Sequence, residues 1–287
     1  MPDRTHVGTV TLQVADLDRS LEFYRGVIGF RLLSRGEGTA RLGAAGSEDA
    51  LLELKEKPGA RPAARNARLG IYHFAVLLPS RADLGRFLRH AYASGARIGQ
   101  ADHLYSEATY LTDPDGIDLE VYRDRPRDEW TLAADGEIIG STEPLDLEGV
   151  AAAAGAEPWA GLPQGTTMGH MHFFVGDLVK AEEFYHRTLG LDKVTWHFPG
   201  ALFLSAGGYH HHVGANVWAA GSRPSGPDDA RLLTWELRLP GPEDVAAVAS
   251  RLRAAGYPVT EQDGTFLADD PWGITVSLSA EGAIATA

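Results

Sequence analysis

Hydrophobic and polar residues alternate first as in a strand and then as in a helix near the start of the chain. Val10, Leu12 and Val14 alternate with less apolar neighbours, which is typical of a strand with one buried face. Asp16 and Gly29 bracket the next segment as residues that commonly begin and end a helix. Within it, apolar residues recur at helical spacing at Leu17, Leu21, Tyr24 and Ile28. The pattern predicts a strand followed closely by a helix.

The same order of elements recurs along the chain. Phe74, Val76 and Leu78 alternate, and a helical pattern follows over about residues 80–94. Further strands are predicted at about 110–111 and 117–122, on either side of the turn sequence Asp-Pro-Asp-Gly. Two more helices are predicted near residues 179–188 and 242–255. The chain is therefore predicted to be an α+β protein of four similar units, each with a strand, a helix and further strands.

The four units group into two halves. With a shift of 161 residues, the segment from Gly8 to Gly29 matches the segment from Gly169 to Gly190. We predict a first module over residues 1–125, a linker over 126–165 and a second module over 166–282. The linker contains Pro, Gly and charged residues, and a short helix is possible over 145–154.

The two halves carry complementary metal-ligand residues. Where the first half has Thr9, the second has His170; where the first has His73, the second has Thr234. Glu120 aligns with Ser277 when the two Asp-Pro turns are superimposed. Neither half holds a full set of ligands. One complete site could be assembled from His73, Glu120 and His170.

Composition narrows the classes of function. The 287 residues carry a net charge of -13, which disfavours nucleic acid and anionic membrane surfaces as partners. There is no cysteine, so a metal must be held by imidazole and carboxylate groups. The N-terminus has no apolar signal segment, and no stretch approaches the roughly 18 apolar residues of a membrane span. We therefore expect a cytoplasmic protein without nucleic acid or membrane partners.

These motifs resemble those of the vicinal oxygen chelate superfamily, which includes glyoxalase I, fosfomycin resistance proteins and extradiol ring-cleaving dioxygenases. The resemblance covers nearly the whole chain and rests on these motifs: Gly-His-Met-His, Asp-Leu, Glu-Phe-Tyr, Leu-Gly and Asp-Pro-Asp-Gly. It implies four βαβββ units in two tandem modules. Two units form a cup, with metal ligands on the first and last strands of the units. Because the superfamily is chemically diverse, function must be argued from the site.

Within this superfamily, the chain is most similar to the two-module catechol 2,3-dioxygenases. That resemblance implies Fe(II) held by His73, Glu120 and His170, with a catechol-type substrate and O2. It further implies a base at His212, three residues before Ala215, with Tyr110 and His103 beside the substrate. The resemblance also implies a homo-oligomer.

One departure from the more familiar members changes the expected place of the site. The last unit offers Thr234 and Ser277 where those members supply ligands, so the ligands come from the second unit instead. We expect the site between units two and three. Units one and four are then expected to pair in an empty cup, either within one chain or by exchange across a dimer.

Two other functions stay open from the sequence. A redox-neutral metal enzyme of the same fold, such as a glyoxalase-type isomerase or thiol transferase with Mn, Ni or Zn, would use His212 as a fourth ligand. A non-catalytic module that binds an aromatic ligand is the other alternative, although such a module needs no metal ligands.

The remaining candidate residues are given structural interpretations. At least one of His210 and His211 is expected to be structural or to lie behind the substrate. His172 and His197 are interpreted as ordinary strand or pocket-wall residues, and Glu53 as a surface residue. Trp218 and Tyr122 could line a pocket or belong to the core.

Overall fold

The computed structural model describes residues 1–63, 66–262 and 264–282. The first half contains β1 (His6–Val14), α1 (Leu17–Leu21) with a π-helical continuation (Glu22–Ile28), β2 (Arg31–Gly36), β3 (Thr39–Gly43), β4 (Leu52–Glu56), β5 (Arg68–Leu77), α2 (Arg81–Ala93), β6 (Gly99–Asp102), β7 (Ser106–Thr112) and β8 (Asp118–Asp124). A 3-10 turn (Arg127–Glu129) and α3 (Leu147–Ala153) connect the halves.

The second half repeats this order. It contains β9 (Thr167–Phe174), α4 (Leu178–Ala181) with a π-helical continuation (Glu182–Thr188), β10 (Asp192–Thr195), β11 (Ala201–Ser205), β12 (Val213–Asn216), β13 (Arg223–Pro224), β14 (Arg231–Leu239), α5 (Pro242–Ala254), β15 (Val259–Gln262), β16 (Thr265–Asp269) and β17 (Thr275–Ala280). The predicted helices lie within one to two residues of α2, α3 and α5, and the α+β class is confirmed.

Side-chain caps explain where three of the helices begin. Asp16 accepts a hydrogen bond from the backbone N–H of Arg19 at 3.0 Å, and Asp177 accepts the equivalent bond from Lys180 at 2.9 Å. Ser80 caps α2 in the same way. Each cap satisfies a backbone donor that the helix itself leaves unpaired, which stabilises it by about 1 kcal/mol.

The strands form two sheets, and each sheet combines strands from both halves. One has the order β15-β16-β17-β14-β1-β4-β3-β2 and therefore joins units one and four. The other has the order β10-β11-β12-β9-β5-β8-β7-β6 and joins units two and three, with β13 beside β5. The antiparallel pairs β1–β14 and β5–β9 lie at the centres. In this structure, both pairings occur within one chain.

A single large core lies against both sheets. Leu12 and Trp235 from the first sheet belong to the same buried cluster as Phe74 and Phe173 from the second. No helix in the described ranges combines the length and hydrophobicity needed to cross a bilayer.

Two buried tyrosine–aspartate pairs repeat at equivalent places in the two halves. The phenol of Tyr24 donates to Asp113 at 2.8 Å, and that of Tyr185 donates to Asp270 at 2.9 Å. Each pair joins the helical segment of one unit to the Asp-Pro turn before the last strand of the next. The pairs fix the position of that strand, which in the first half is β8.

Candidate active site and metal centre

Three neighbouring strands of the second sheet each supply one predicted metal ligand. His73 lies on β5, Glu120 on β8 and His170 on β9, and β5 is the middle strand of the three. Ala75 pairs with Glu120 on one side and with His170 on the other. His73 is two residues earlier on β5 and therefore points to the same face of the sheet as Ala75. The register brings all three ligands together around the small side chain of Ala75.

The three ligand atoms form a nearly equilateral triangle. Nε2 of His73 lies 3.4 Å from Nε2 of His170, and Oε2 of Glu120 lies 3.2 Å from each nitrogen. In the described part of the chain, these three residues form the fully buried group whose ligand atoms all lie within 4.8 Å of one another. Ligands at about 2.1 Å on one face of an octahedral ion lie about 3 Å apart. The observed triangle is close to that geometry.

Burial leaves this group short of hydrogen-bond partners. The relative exposures of His73, Glu120 and His170 are 4%, 2% and 1%. Among the described residues, the second carboxylate oxygen of Glu120 has no hydrogen-bond partner, and neither have the Nδ1 atoms of the two histidines. A buried carboxylate with so few donors is costly unless a cation lies beside it. The orphaned oxygen and the converging atoms therefore fit a bound metal ion.

The ionisation states also suit metal binding. Burial lowers the pKa of His170 to about 4, although Glu120 acts in the opposite direction. Burial alone would raise the pKa of Glu120, but the adjacent His170 and His73 hold it well below its usual value. A neutral imidazole and an ionised carboxylate are the forms that coordinate metals.

An extra residue in β9 makes room for an aromatic side chain beside His170. Between the pairs Ala75–His170 and Val76–Met168, the strand β9 contains Gly169 without a partner, which is a β-bulge. A Cβ atom on Gly169 would lie 1.8 Å from the hydroxyl of Tyr122. The glycine thus allows Tyr122 to pack against the ring of His170, with ring centroids 4.9 Å apart.

A cavity of about 620 Å³ opens over the three ligands. Its wall includes six aromatic residues, which are Tyr72, Tyr105, Tyr110, Phe198, Phe203 and Trp218. Trp218 is 46% exposed at the wall of this cavity, whereas Tyr122 is fully buried. Trp218 therefore lines the pocket, while Tyr122 belongs to the core. His172 is also in the wall.

Tyr110 and His103 lie in the cavity and bind each other. Nδ1 of His103 lies 2.7 Å from the carbonyl oxygen of Ser141, which can only accept, so Nδ1 carries the proton. In neutral His103, Nε2 then accepts from the hydroxyl of Tyr110 at 2.6 Å. Burial and the nearby Glu120 raise the pKa of Tyr110 well above its usual value, which keeps the hydroxyl protonated.

The run of three histidines brings His211, and not His212, into this cavity. His211 lines the cavity above the three predicted ligands, and its ring centroid lies 4.1 Å from that of His170. His212 lines a separate cavity of about 240 Å³, near Arg4 and Arg127. Its Nδ1 accepts from the backbone N–H of Ala206 at 3.2 Å. The assignment of His212 beside the substrate, or as a fourth ligand, does not fit this geometry.

The local backbone explains the difference. The three histidines precede β12 and are not part of it, so counting back along a strand from Ala215 selects a ring that does not line this cavity. Gly207 and Gly208 have φ angles of 61° and 64°, in the left-handed region that favours glycine. The three histidines that follow are all buried. His211 faces the cavity over the predicted ligands, and His212 faces the other cavity.

Comparison with known proteins gives the family. The family model of the Glyoxalase/Bleomycin resistance protein/Dioxygenase superfamily matches residues 6–121 and 167–278. The chain belongs to this superfamily. The two matched segments also agree with two tandem modules of the glyoxalase type.

A curated relative within the superfamily narrows the class of enzyme. A protein of Bacillus subtilis (strain 168) named catechol-2,3-dioxygenase is 42% identical over 270 residues, which cover 93% of this chain and 94% of that protein. At this identity over nearly the whole of both proteins, the chain is an enzyme of the extradiol dioxygenase type.

Solved structures of the superfamily show the same fold at low identity. A protein from Bacillus subtilis subsp. subtilis str. 168, for which a dioxygenase function has been suggested, matches with a TM-score of 0.69 and 15% identity, over 98% of this chain and 87% of that one. Glyoxalase I from Zea mays matches with a TM-score of 0.56 and 17% identity, over 96% and 92%.

The first sheet of this superfamily member has no counterpart of the metal site among the described residues. Thr9 and Thr234 stand where the second sheet has histidines, and Ser277 stands where it has Glu120. Glu236 fills part of the space, because it accepts from the backbone N–H of Thr9 at 2.8 Å and from Arg238 at 2.9 Å. The cup of units one and four is thus occupied by its own polar side chains.

Two remaining candidates lie outside the cavity. Glu53 is partly exposed and pairs with Arg41, as expected of a surface residue. His197 is largely exposed and bonds to Glu137, whose other oxygen accepts from the backbone of Trp196 and His197. Ala75 was not identified as a site residue from the sequence. Its small side chain, two residues after His73 on the same strand, was the feature that could have indicated it.

Proposed function

We propose that this dioxygenase opens the ring of catechol or a substituted catechol beside its hydroxyl-bearing carbons, with Fe(II) held by His73, Glu120 and His170. The observation that carries the proposal is the buried triangle of ligand atoms, 3.2–3.4 Å apart, beneath a cavity with aromatic walls. Two histidines and one carboxylate are the ligand set typical of non-haem Fe(II) oxygenases. The name of the 42% identical Bacillus subtilis relative supports catechol as the substrate.

The charge of the site suits a catecholate. Fe(II) and the ionised Glu120 together carry a charge of about +1, which favours a substrate anion in a buried cavity. When bound, Fe(II) would supply the Lewis acidity and the electron transfer that allow O2 to react with the ring. The protein supplies orientation, proton transfer and exclusion of water.

We assign proton transfer to His211 rather than to His212. Burial, followed by the proximity of His170 and His210, lowers the pKa of His211 well below its usual value. The imidazole is therefore neutral near pH 7 and able to accept a proton from a catechol hydroxyl at Nε2. His211 lines the cavity beside His170, within reach of a substrate above the metal ligands.

Tyr110 and His103 act as a pair in this proposal. The phenol of Tyr110 stays protonated and is oriented by its 2.6 Å hydrogen bond to His103. On substrate binding, the hydroxyl can turn from Nε2 of His103 to donate to a substrate oxygen. His103 itself is anchored by the carbonyl of Ser141.

The proposal is tested by reconstituting the protein anaerobically with Fe(II), adding catechol and air, and recording the visible absorbance of the ring-fission product. Zn(II)-loaded and metal-free samples are the controls. We expect product only with Fe(II). His73→Ala, Glu120→Gln and His170→Ala should each abolish turnover and lower the bound iron, while the surface variant Glu53→Gln should behave as wild type. Failure of several catechols to react despite bound iron would overturn the proposal.

The redox-neutral alternative with Mn, Ni or Zn receives less support. It needs a fourth protein ligand, and the buried group of ligand atoms in the described ranges contains three residues. His212, the expected fourth ligand, lines the other cavity. A glutathione-dependent isomerase assay with each of the three metals gives this alternative its own test.

A further inference from the structure

The strand that supplies the metal ligand Glu120 also carries a carboxylate behind the histidine run. Side chains at every second position of a strand share one face, so Glu120, Tyr122 and Asp124 on β8 point the same way. Oδ1 of Asp124 lies 2.8 Å from Nε2 of His210. Nδ1 of His210 lies 2.9 Å from Nδ1 of His211. An unbroken chain of hydrogen bonds thus runs from Asp124 to the histidine that lines the cavity.

With Asp124 ionised and His210 neutral, the directions of both bonds follow from the donors and acceptors that each group carries. An ionised carboxylate only accepts hydrogen bonds, so His210 must donate from Nε2. A neutral imidazole carries one proton, which leaves a lone pair on Nδ1 of His210. That lone pair accepts from His211, whose proton must then be on Nδ1. Nε2 of His211 is left with a lone pair, and no hydrogen bond joins it to another described residue.

We propose that Asp124 and His210 are positioning residues that hold His211 in the tautomer with a proton on Nδ1 and a free lone pair on Nε2, ready to accept a proton from the substrate. The importance of this tautomer for turnover rests on the role proposed above for His211. Without the carboxylate, His210 could carry its proton on either nitrogen, and His211 could present an N–H to the substrate. An N–H at that position cannot accept the proton of a catechol hydroxyl.

The surroundings of His210 hold the chain of bonds in one arrangement. The His210 side chain is fully buried. Its ring stacks on that of Tyr105, with ring centroids 4.4 Å apart and an interplanar angle of 15°. The ring centroid of Tyr209 lies 4.0 Å away.

Asp124 also accepts a second, longer hydrogen bond, which does not involve a histidine. The phenol of Tyr209 donates to Oδ1 of Asp124 at 3.2 Å and lies 2.7 Å from the hydroxyl of Tyr122. Removing the Tyr209 hydroxyl leaves the bond between Asp124 and His210 in place. Tyr209→Phe is therefore the matched control for changes at Asp124.

Nuclear magnetic resonance can read the tautomer without any turnover. The full chain is labelled with ring-¹⁵N histidine, and long-range ¹H–¹⁵N spectra are recorded without metal and with diamagnetic Zn(II). The His211 signals are assigned by their loss in His211→Asn. We expect a protonated Nδ1 and an unprotonated Nε2 in the wild type and in Tyr209→Phe. In Asp124→Asn and Asp124→Ala we expect a population of His211 protonated on Nε2.

Kinetics with the Fe(II)-loaded enzyme provides the second readout. Because positioned general bases contribute about 10²- to 10⁴-fold, Asp124→Asn should lower kcat by about 10²-fold. The KM for catechol and the bound iron should stay close to wild type, as should kcat in Tyr209→Phe. A merely structural role would instead lower thermal stability or iron content together with kcat.

Two results would overturn the inference. One is a wild-type His211 with its proton on Nε2. The other is an unchanged His211 tautomer in both Asp124 variants, with kcat equal to that of wild type. If the wild-type enzyme itself cleaves no catechol, the proposed function fails, while the spectra still decide the inference about Asp124 and His210.

Discussion

Ala75 lies directly opposite His170 in the ladder between β5 and β9, and its methyl group is completely buried. On its other side it pairs with Glu120. The small side chain therefore lies between two of the proposed metal ligands, which would have to converge on one ion. A larger side chain at this position would enter the space between them.

The first prediction follows from this spacing. Ala75→Leu should reduce bound Fe(II) and turnover together, because the added carbon atoms separate Glu120 from His170. Ala75→Gly is the matched control, since it keeps the space open at a cost of about 0.5–1 kcal/mol in a strand. Iron analysis and thermal unfolding of both variants check this. Full iron binding by a folded Ala75→Leu protein would contradict it.

A second prediction concerns the pair of Tyr110 and His103. Tyr110→Phe removes a hydroxyl that donates to His103 at 2.6 Å and faces the substrate cavity. Because the loss of one oriented donor commonly costs about 10²-fold in kcat, we expect a fall of that order with iron content unchanged. Tyr257→Phe serves as the control, because Tyr257 lies between α5 and β15, beside the sheet without the proposed metal site. Steady-state kinetics that give equal kcat for the two variants would remove Tyr110 from the mechanism.

A third prediction concerns stability and pH. Burial raises the pKa of Asp113 to about 7, although hydrogen bonds from the backbone of Ile117 and from Tyr24 partly oppose the shift. In the unfolded chain, the pKa of an Asp carboxyl group is about 4. The folded protein thus binds this proton more tightly. This tighter proton binding at Asp113 adds to the free energy of unfolding. The contribution is fully present below about pH 4 and is lost as the pH rises through about 7.

Asp113→Asn should therefore remove part of the fall in stability between pH 5 and pH 8. Urea unfolding of the wild type and of the variant at both pH values measures the difference. The equivalent Asp270 has a pKa raised by burial to about 6, so its part of the fall in stability should be complete at a lower pH in the wild type and absent from Asp270→Asn. The same pH dependence in the wild type and in Asp113→Asn would contradict the prediction.

Much of the fold could be predicted because the information is local. Asp16, Ser80 and Asp177 begin helices through contacts three residues away, and the alternation of Phe74 and Val76 reports one buried strand face. The complementary exchange of ligand residues between the halves also indicated which units meet. That inference needed no coordinates, because a ligand missing from one unit has to come from another.

Other features depend on contacts that a linear pattern does not contain. The histidine run follows two glycines with positive φ and lies outside β12, so counting along a strand selected His212, whereas His211 lines the cavity. The partnership of Asp124 with His210 joins positions 86 residues apart. The smallness of Ala75 acquires meaning only when the strands on both sides of it are known.

The central claim is that one iron, bound in the second sheet, performs the reaction with O2. We would titrate the metal-free protein anaerobically with Fe(II), add catechol and a measured amount of O2, and determine bound iron, O2 consumed and ring-fission product at each step. We predict that product formation rises with bound iron, reaches its maximum at one Fe(II) per chain and consumes one O2 per product. Activity that is independent of bound iron, or a maximum at two Fe(II) per chain, would contradict the account.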